Sequence, residues 1–362
     1  MPSIFTTPDT AVKQDLVFLF PGQGSQHYQM ARELFDGEPS FRAHMEGIDA
    51  RYTAREGVSL LAQLYGAHAR PLRVPLDEIR FSHPLVVLVE YCVAHWLREQ
   101  GLEPTLVIAC SAGEFAAHAF AGRITIDTAL DMMARQAQWA CAHVAQGYML
   151  AAMAPCDWCE AQLALRELAT VAGVGMAGAS VLTGARKHLA VAEEVLRTHC
   201  VASHVLPVRV PFHSALVAPM EALWLARYGT LQPAMGAVPV WGVAGTGEAA
   251  AGANDGQPDG AYAQRLWQVI RAPFDFPALW NRLDRSSPCT LVDVGPAGTL
   301  ANWIRHGGAA PPLWRIEAVL SPWGGDLARG RALAAARGQA ARDIAATAAT
   351  AATIATAAIA PP

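Results

Sequence analysis

Short apolar runs that end in tight turns alternate along this chain with longer segments of helical periodicity. Leu16–Phe20 consists of five apolar residues followed by Pro-Gly, which predicts a buried strand and a turn. Residues 84–100 repeat apolar side chains at helical spacing, and residues 105–109 predict a second buried strand. A new helical pattern begins at Ser111. This order of strand, sharp turn and helix is typical of an α/β sheet.

The same patterns divide the chain into three parts. Residues 147–208 alternate short strand-like and helical segments and predict a small subdomain, which interrupts a large subdomain formed by residues 15–146 and 209–325. Residues 245–262 are rich in Gly, Ala and Asp and predict a surface loop. Ala, Arg and Thr dominate residues 326–362, which we interpret as a low-complexity tail. For residues 345–362, which are almost all Ala and Thr, a weak membrane anchor is the alternative, although Ala and Thr favour insertion far less than Leu or Phe.

Composition narrows the class of protein. Of 362 residues, 52% are hydrophobic and 16% are charged, which excludes a disordered chain. There are 27 Lys and Arg against 31 Asp and Glu, so the chain lacks the overall basic character of a nucleic-acid binder. No signal peptide is visible, and no apolar run approaches the ~20 residues of a membrane span. Seven irregularly spaced cysteines suit a reducing compartment. We therefore predict a cytoplasmic protein that binds neither nucleic acid nor membrane.

Two further patterns suggest chemistry that their surroundings do not support. Cys156 and Cys159 form a lone CxxC, but a zinc site needs two more ligands at suitable spacing, and a redox pair needs a thioredoxin-like context. The glycine-rich segment at residues 20–26 is not followed by the Lys-Ser/Thr of a phosphate-binding loop. We therefore predict no metal site and interpret the two cysteines as structural.

Ser111 is the candidate nucleophile, in the segment Ala109-Cys-Ser-Ala-Gly-Glu114. The spacing matches the nucleophile elbow G-x-S-x-G, with Ala in place of the first Gly. Such a turn holds the hydroxyl clear of the sheet and points the backbone N–H of Ala112 at the space above it, where an oxyanion would form. The alternative is that small residues around a serine only mark tight packing.

A serine nucleophile needs a base, and His213 is the candidate because it follows a predicted strand on a loop. The turn after the first strand places Gln23 between two glycines, which free the backbone to approach a ligand. We interpret the Gln23 N–H as a second oxyanion donor. A plain turn is the alternative for this segment.

Five segments, in this order, resemble the acyltransferases of fatty-acid and polyketide synthesis, of the malonyl-CoA:acyl-carrier-protein transacylase type. They are Phe20-Pro-Gly-Gln-Gly-Ser-Gln26, Ser-His-Pro84 at a helix start, the serine motif at 109–114, Pro-Phe-His-Ser214 and Asp293-Val-Gly-Pro296. The resemblance covers about residues 15–305. It implies an α/β fold with an α/β-hydrolase-like large subdomain and an inserted ferredoxin-like small subdomain. It also implies a Ser111–His213 dyad, in which a backbone carbonyl of Gln268 or Val269 orients the histidine.

The chain departs from this family around the acyl group. Cys110 replaces the histidine before the serine, and His83 stands where the family usually has Gln. Gln136 occupies the position of the arginine that binds the free carboxylate of malonyl groups in the family. Arg135 is adjacent, but one step along a helix turns a side chain by about 100°. Arg135 would therefore serve only after a local shift of one residue.

Gln136 changes the substrate that we expect. Arginine pairs a carboxylate bidentately, whereas a carboxylate buried without a cation is costly. The chain therefore resembles the acyl hydrolases of trans-acyltransferase polyketide synthase pathways, which release stalled acyl groups from acyl carrier proteins. We predict that Gln136, His83 and Phe212 contact the acyl group. Phe212 would form an apolar wall, or would simply pack in the core.

Two other functions stay open at this point. The chain could be a malonyl-CoA:acyl-carrier-protein transacylase that uses Arg135, or a non-catalytic docking scaffold, although the intact Ser111 and His213 argue against a scaffold. For the hydrolase we expect acyl carrier proteins of a polyketide synthase as partners, and a monomer. We expect no cofactor bound by the chain itself, because the carrier protein brings the phosphopantetheine.

Overall fold

The structure, a computed structural model, describes residues 15–66, 75–243, 261–307 and 310–339. The strands are β1 Leu16–Phe20, β2 Leu106–Ala109, β3 Gly147–Ala152, β4 Thr170–Val174, β5 Ser180–Ala185, β6 Ser203–Val205, β7 Val240–Gly242, β8 Phe274–Asp275, β9 Cys289–Asp293 and β10 Trp314–Ala318. The α-helices are α1 Arg32–Gly37, α2 Pro39–Glu56, α3 Leu60–Tyr65, α4 Ile79–Glu99, α5 Gly113–Phe120, α6 Ile126–His143, α7 Cys156–Ala161, α8 Leu163–Arg166, α9 Leu189–Thr198, α10 Glu221–Tyr228, α11 Ala261–Arg271, α12 Phe276–Trp280 and α13 Thr299–His306. Two 3-10 helices cover Arg186–His188 and Ala215–Met220.

The large subdomain is built on a parallel sheet with the strand order β10-β9-β1-β2-β7. Every residue of the central strand β1 is buried, as expected where helices cover both faces of a parallel sheet. Phe20, at the end of β1, pairs with Ala109, at the end of β2. Because parallel strands end at the same edge, this register brings the loops after β1 and β2 together.

The small subdomain has a second sheet with the order β6-β3-β5-β4, in which neighbouring strands are antiparallel. With α7 and α8 after β3, and α9 after β5, the order β-α-β-β-α-β is ferredoxin-like. The α/β fold with two subdomains that the sequence predicts is therefore confirmed. The two-residue strand β8, which comes from the large part of the chain, pairs with β4 and extends this sheet.

Helix α4 begins at Ile79, five residues before the helix start that the sequence suggests at Pro84. Pro84 lies inside the helix and cannot donate a backbone hydrogen bond there. The helix continues because it is buried along most of its length against α5 and α6. Tertiary packing overrides the local signal of the proline.

Residues 326–339 are helical, so the prediction of a low-complexity tail is wrong for this segment. Leu327 and Leu333 pack on the core of the large subdomain. Gly330 lies so close to Trp96 that an added β-carbon would approach the indole to 2.4 Å. A few apolar contacts at helical spacing thus hold this Ala- and Arg-rich segment against the large subdomain. The rest of the predicted tail, from residue 340, lies outside the described residues, as does most of the predicted surface loop at 245–262.

In the part of the chain that the structure describes, no helix combines the length and apolarity that crossing a membrane requires.

Candidate active site

Ser111 occupies a sharp turn between β2 and α5. Its backbone φ is 54°, in the left-handed region that non-glycine residues rarely adopt. The turn is closed by the Glu114 N–H, which donates to the Ser111 carbonyl at 2.9 Å. Gly113 makes the turn possible, because a β-carbon there would approach the Phe20 carbonyl oxygen to 2.2 Å. The strained turn holds the half-buried Ser111 side chain at the edge of the sheet.

The Ser111 hydroxyl is hydrogen-bonded to His213. The distance from Ser111 Oγ to His213 Nε2 is 2.8 Å, and His213 Nδ1 lies 2.8 Å from the Ala272 carbonyl oxygen. Because a carbonyl only accepts, Nδ1 carries the proton, and the Nε2 lone pair faces the serine hydroxyl. Burial lowers the pKa of His213 to about 4, and the hydrogen bond to Ala272 opposes that shift. The imidazole is thus neutral near pH 7 and able to accept the serine proton.

The residue that orients His213 is Ala272, so the prediction of Gln268 or Val269 is wrong. The Gln268 carbonyl accepts the Ala272 N–H at 2.8 Å, and Val269 lies within α11. Helix α11 ends at Arg271, which leaves the next carbonyl free to turn towards the histidine. The proline that follows Ala272 restricts it to an extended backbone, and this sequence signal could have located the helix end.

The loop after β1 runs directly against the serine turn. Gly22 has φ 76°, and a β-carbon on it would lie 2.6 Å from the Gly113 nitrogen and 2.9 Å from the Ala112 nitrogen. This close approach places the backbone of Gln23 beside that of Ala112. Within the described ranges neither of these two N–H groups donates to a protein acceptor. This lack of a protein acceptor is what the predicted role of both groups as oxyanion donors requires.

Glu90 fixes this loop, and the sequence analysis missed it. Its side chain is fully buried on α4, and Oε1 accepts the Gly22 N–H at 2.8 Å. Burial raises the pKa of Glu90 well above its usual range, and nearby Asp293 adds to that rise. A single carboxyl among the mostly apolar side chains of residues 84–97 is the sequence signal that could have identified it, because carboxyl groups are rarely fully buried unless they are paired.

His83, Gln136 and Phe212, the predicted acyl-site residues, lie together. His83 Nε2–H donates to Gln136 Oε1 at 3.0 Å, and the His83 ring stacks on Phe212 with centroids 5.3 Å apart. Phe212 adjoins the catalytic candidate His213. Ser82, the residue before His83, accepts a hydrogen bond from the Gln23 side-chain amide at 3.2 Å. The group therefore lies between the two loops that carry the oxyanion donors and the base.

This group is uncharged and incompletely hydrogen-bonded. Burial lowers the pKa of His83 to about 4, so its ring is neutral near pH 7. His83 Nδ1 and Gln136 Nε2 are buried, and neither has a hydrogen-bond partner among the residues that the structure describes. A buried polar atom without a partner is costly, so such atoms stand out as contacts that a substrate could complete.

Arg135 faces away from this group. Its guanidinium pairs with Glu56 and lies 3.6 Å from Asp131, and it donates to Gln138 at 2.6 Å. Arg135, on α6, and Glu56, at the end of α2, line a separate cavity of about 430 Å³. No one-residue shift of α6 occurs, so Arg135 does not replace the missing arginine in this structure.

Metal-binding groupings are absent from the described ranges: no three His, Cys, Asp or Glu side chains there could together hold an ion. Cys156 and Cys159 are both free thiols. Burial raises the pKa of each, which makes both less reactive near pH 7.

With this geometry established, comparison with known proteins gives consistent matches. A family model described as an acyl transferase domain matches residues 17–350. The polyketide biosynthesis acyltransferase homolog BaeD of Bacillus velezensis is 33% identical, over 86% of this chain and 93% of its own. The homolog PksD of Bacillus subtilis is 28% identical, over 82% and 88%. The acyltransferase domain from module 8 of the salinomycin polyketide synthase superposes with a TM-score of 0.75 at 25% identity, over 88% of this chain and 74% of its own.

Proposed function

The chain belongs to the acyl transferase domain family, and on that premise we propose that it hydrolyses neutral acyl thioesters. Its substrates would be acyl groups stalled on acyl carrier proteins in polyketide biosynthesis. The names of BaeD and PksD support the pathway. The observation that carries the proposal is the neutral, buried pair of His83 and Gln136 where the family has a cation.

The reaction would proceed in two halves. Ser111 Oγ attacks the thioester carbonyl while its proton passes to His213 Nε2, and the N–H groups of Gln23 and Ala112 hold the oxyanion. The C–S bond breaks, and His213 returns the proton to the departing thiolate. Water then attacks the acyl-serine with His213 as base, and the free acid leaves with Ser111 restored.

The acyl side of the site supports the proposed preference for neutral groups. A malonyl group would bring a carboxylate against Gln136 and neutral His83, where no cation offsets its desolvation. The nearest candidate, Arg135, is already paired with Glu56 and Asp131. This arrangement disfavours the malonyl transacylase. The intact hydrogen bonds of Ser111 and His213 likewise disfavour a non-catalytic scaffold.

The proposal also covers the location, the oligomeric state and the partners of the enzyme. We propose a cytoplasmic monomer whose partners are polyketide synthase carrier proteins. The phosphopantetheine arm would belong to the partner, and the chain itself would hold no cofactor. Sedimentation of the purified chain tests the monomer.

One assay separates hydrolysis from transfer. The purified chain is mixed with acetyl-carrier protein in one reaction, and with malonyl-CoA and free carrier protein in another, and free acid and acylated carrier are measured separately. We expect free acetate and little malonyl transfer, with Ser111→Ala inactive in both reactions. Efficient malonyl transfer without hydrolysis of the acetyl ester would instead identify a transacylase.

A further inference from the structure

Phe274 lies against the candidate base. Its ring meets the His213 ring edge to face, with centroids 5.3 Å apart and planes at 79°. Trp303, on α13, stacks on the same phenyl ring with centroids 6.3 Å apart. Phe274 is only 5% exposed, so it fills the space beside the imidazole with apolar carbon. A ring packed in this way takes the place of water next to the base.

The small subdomain holds Phe274 in place. Phe274 belongs to β8, which pairs with β4, and Gly173 is its partner in that register. A β-carbon on Gly173 would lie 2.3 Å from the phenyl ring, so the ring can rest across β4 because this residue is a glycine. The register of β4 against β5 shifts between Val171 and Gly173, directly beside this contact. Strand β4 is therefore locally adapted to the ring that lies on it.

The same short segment carries the carbonyl that orients the base. Ala272, whose carbonyl accepts from His213 Nδ1 at 2.8 Å, lies two residues before Phe274. The His213 backbone N–H donates to the Ile270 carbonyl at 2.9 Å. Hydrogen bonds thus tie this segment to His213, while β4 holds it from the other subdomain. The position of His213 therefore depends on the fit between Phe274 and Gly173.

Burial, rather than a neighbouring charge, controls the protonation of His213. The titratable side chains on the segments around its ring are Cys110 and Glu114 at the serine turn, His83 beyond Phe212, and Arg271 and Asp275 on either side of Ala272. None of them is a cause of the lowered pKa of His213, in which burial is the larger influence and the hydrogen bond to Ala272 opposes it. Strand β4 contributes no titratable side chain. The groups that keep water from the ring therefore set its pKa.

We propose that Gly173 and Phe274 are positioning residues for the base: Gly173 seats the Phe274 ring against His213, and the ring keeps water from the imidazole and holds it towards Ser111. The proposal rests on the Ser111–His213 chemistry of the proposed function. It applies equally whether water or a carrier thiol takes the acyl group from Ser111. Through Gly173, the small subdomain acts on a dyad whose two side chains both come from the large subdomain.

The first measurement is the pKa of His213 itself, followed by NMR of the histidine rings and assigned by the signal that His213→Ala lacks. For the wild type we expect a pKa of about 4. Phe274→Ala should admit water and raise the pKa towards the ordinary ~6.5. Acylation of Ser111 should then fall by about fivefold or more between pH 7 and pH 5, because a protonated ring cannot accept the serine proton. Phe274→Leu, which keeps an apolar side chain of similar reach, should retain the wild-type pKa.

Phe276→Ala is the matched control. Phe276 is fully buried two residues further along, and its ring meets Trp303 edge to face, with centroids 5.7 Å apart. Both truncations should lower the melting temperature, whereas only Phe274→Ala should move the pKa of His213. A folded Phe274→Ala protein with an unchanged His213 pKa overturns the proposal, and so does an equal shift in Phe276→Ala.

Gly173→Ala tests the seat without removing a core side chain. Its methyl group should displace the Phe274 ring and lower kcat for thioester turnover by about tenfold or more, with KM unchanged. Combining it with Phe274→Leu should recover most of the loss, because the smaller side chain leaves room for the methyl group. Gly175→Ala is the control, since a β-carbon there would lie 3.4 Å from Trp303, an ordinary contact, and it should keep the wild-type rate.

Two results would contradict the seat: a wild-type rate in Gly173→Ala, or no recovery in the double variant. A failure of the proposed function would look different. A wild type that transfers acyl groups without hydrolysing them removes the hydrolase, yet the acylation of Ser111 and the pKa of His213 still decide whether Phe274 and Gly173 position the base.

Discussion

The two sides of the candidate site differ in how completely their polar atoms are paired. On the dyad side, both ring nitrogens of His213 have partners, at 2.8 Å each, in Ser111 and Ala272. On the acyl side, His83 and Gln136 make one hydrogen bond to each other, and each keeps a buried polar atom without a partner among the described residues. The atoms proposed for bond making are pre-positioned, whereas those proposed for substrate choice have unused hydrogen-bonding capacity.

This difference has a physical reason. A base must hold one tautomer and one orientation through every turnover, and hydrogen bonds at both nitrogens fix them. A specificity site instead gains selectivity when the substrate completes it, because a wrong group leaves a polar atom unpaired or a charge unsolvated. Changes on the dyad side should therefore reduce all turnover. Changes on the acyl side should alter which substrates react.

The largest effect is expected from His213→Ala. Removal of the base should slow acylation of Ser111 by roughly 10²–10⁴-fold for every acyl group, because His213 is the one group hydrogen-bonded to the serine hydroxyl among the described residues. Single-turnover mass spectrometry of the acyl-enzyme measures this rate. A loss confined to some acyl groups would mean that the dyad side also selects substrates.

Gln136→Arg should shift the substrate rather than abolish the reaction. A cation at this position should allow some malonyl loading, and it should slow hydrolysis of neutral acyl groups by roughly 30-fold or more, because an unpaired charge would lie in their path. Competition between malonyl-CoA and acetyl-carrier protein gives both changes in one assay.

Gln138→Arg is the matched control for this variant. Gln138 lies two residues further along α6 on its exposed side, beside Arg135. It should leave the preference unchanged. Equal effects from both variants would show that charge on α6 acts from a distance, and that Gln136 does not contact the acyl group.

The sequence predicted Ser111 and His213 better than it predicted the residues that hold the site in place. Ser111 and the two proposed oxyanion donors follow from short local motifs at the ends of β1 and β2, which the parallel register brings together. His213 follows from a motif on a loop, although β6 ends eight residues earlier, at Val205. Ala272 and Glu90 were missed because each acts across a long sequence separation, through a helix end or through burial that no local pattern encodes. The helix at 326–339 was missed because its docking depends on a few contacts to a surface that only the folded chain presents.

The pH profile should also separate the two sides. Since burial lowers the pKa of His213 to about 4, the neutral base persists as the pH falls and is lost only when the pH passes through that value. Between pH 7 and pH 5 we expect acylation to fall by less than about twofold, whereas a base with the ordinary pKa of ~6.5 would lose roughly 20-fold or more. Circular dichroism at each pH confirms that the chain stays folded. A midpoint near 6.5 would mean that His213 is solvated in the working enzyme.

Arg135→Ala should have the smallest effect on catalysis. Arg135 forms ion pairs with Glu56 and Asp131 and a hydrogen bond to Gln138. Its loss should lower the free energy of unfolding by at most roughly 1 kcal/mol, because Glu56 keeps its pair with Arg55 and Asp131 its pair with Arg227. Hydrolysis of neutral acyl-carrier protein should stay within about twofold of wild type, because Gln136 and His83 keep their hydrogen bond. Thermal unfolding and steady-state hydrolysis, measured on the same preparation, check the two expectations together. If Arg135→Ala removed an efficient malonyl-loading activity of the wild type, α6 would have to turn by one residue in the working enzyme. The neutral acyl side would then be the resting arrangement of an ordinary transacylase.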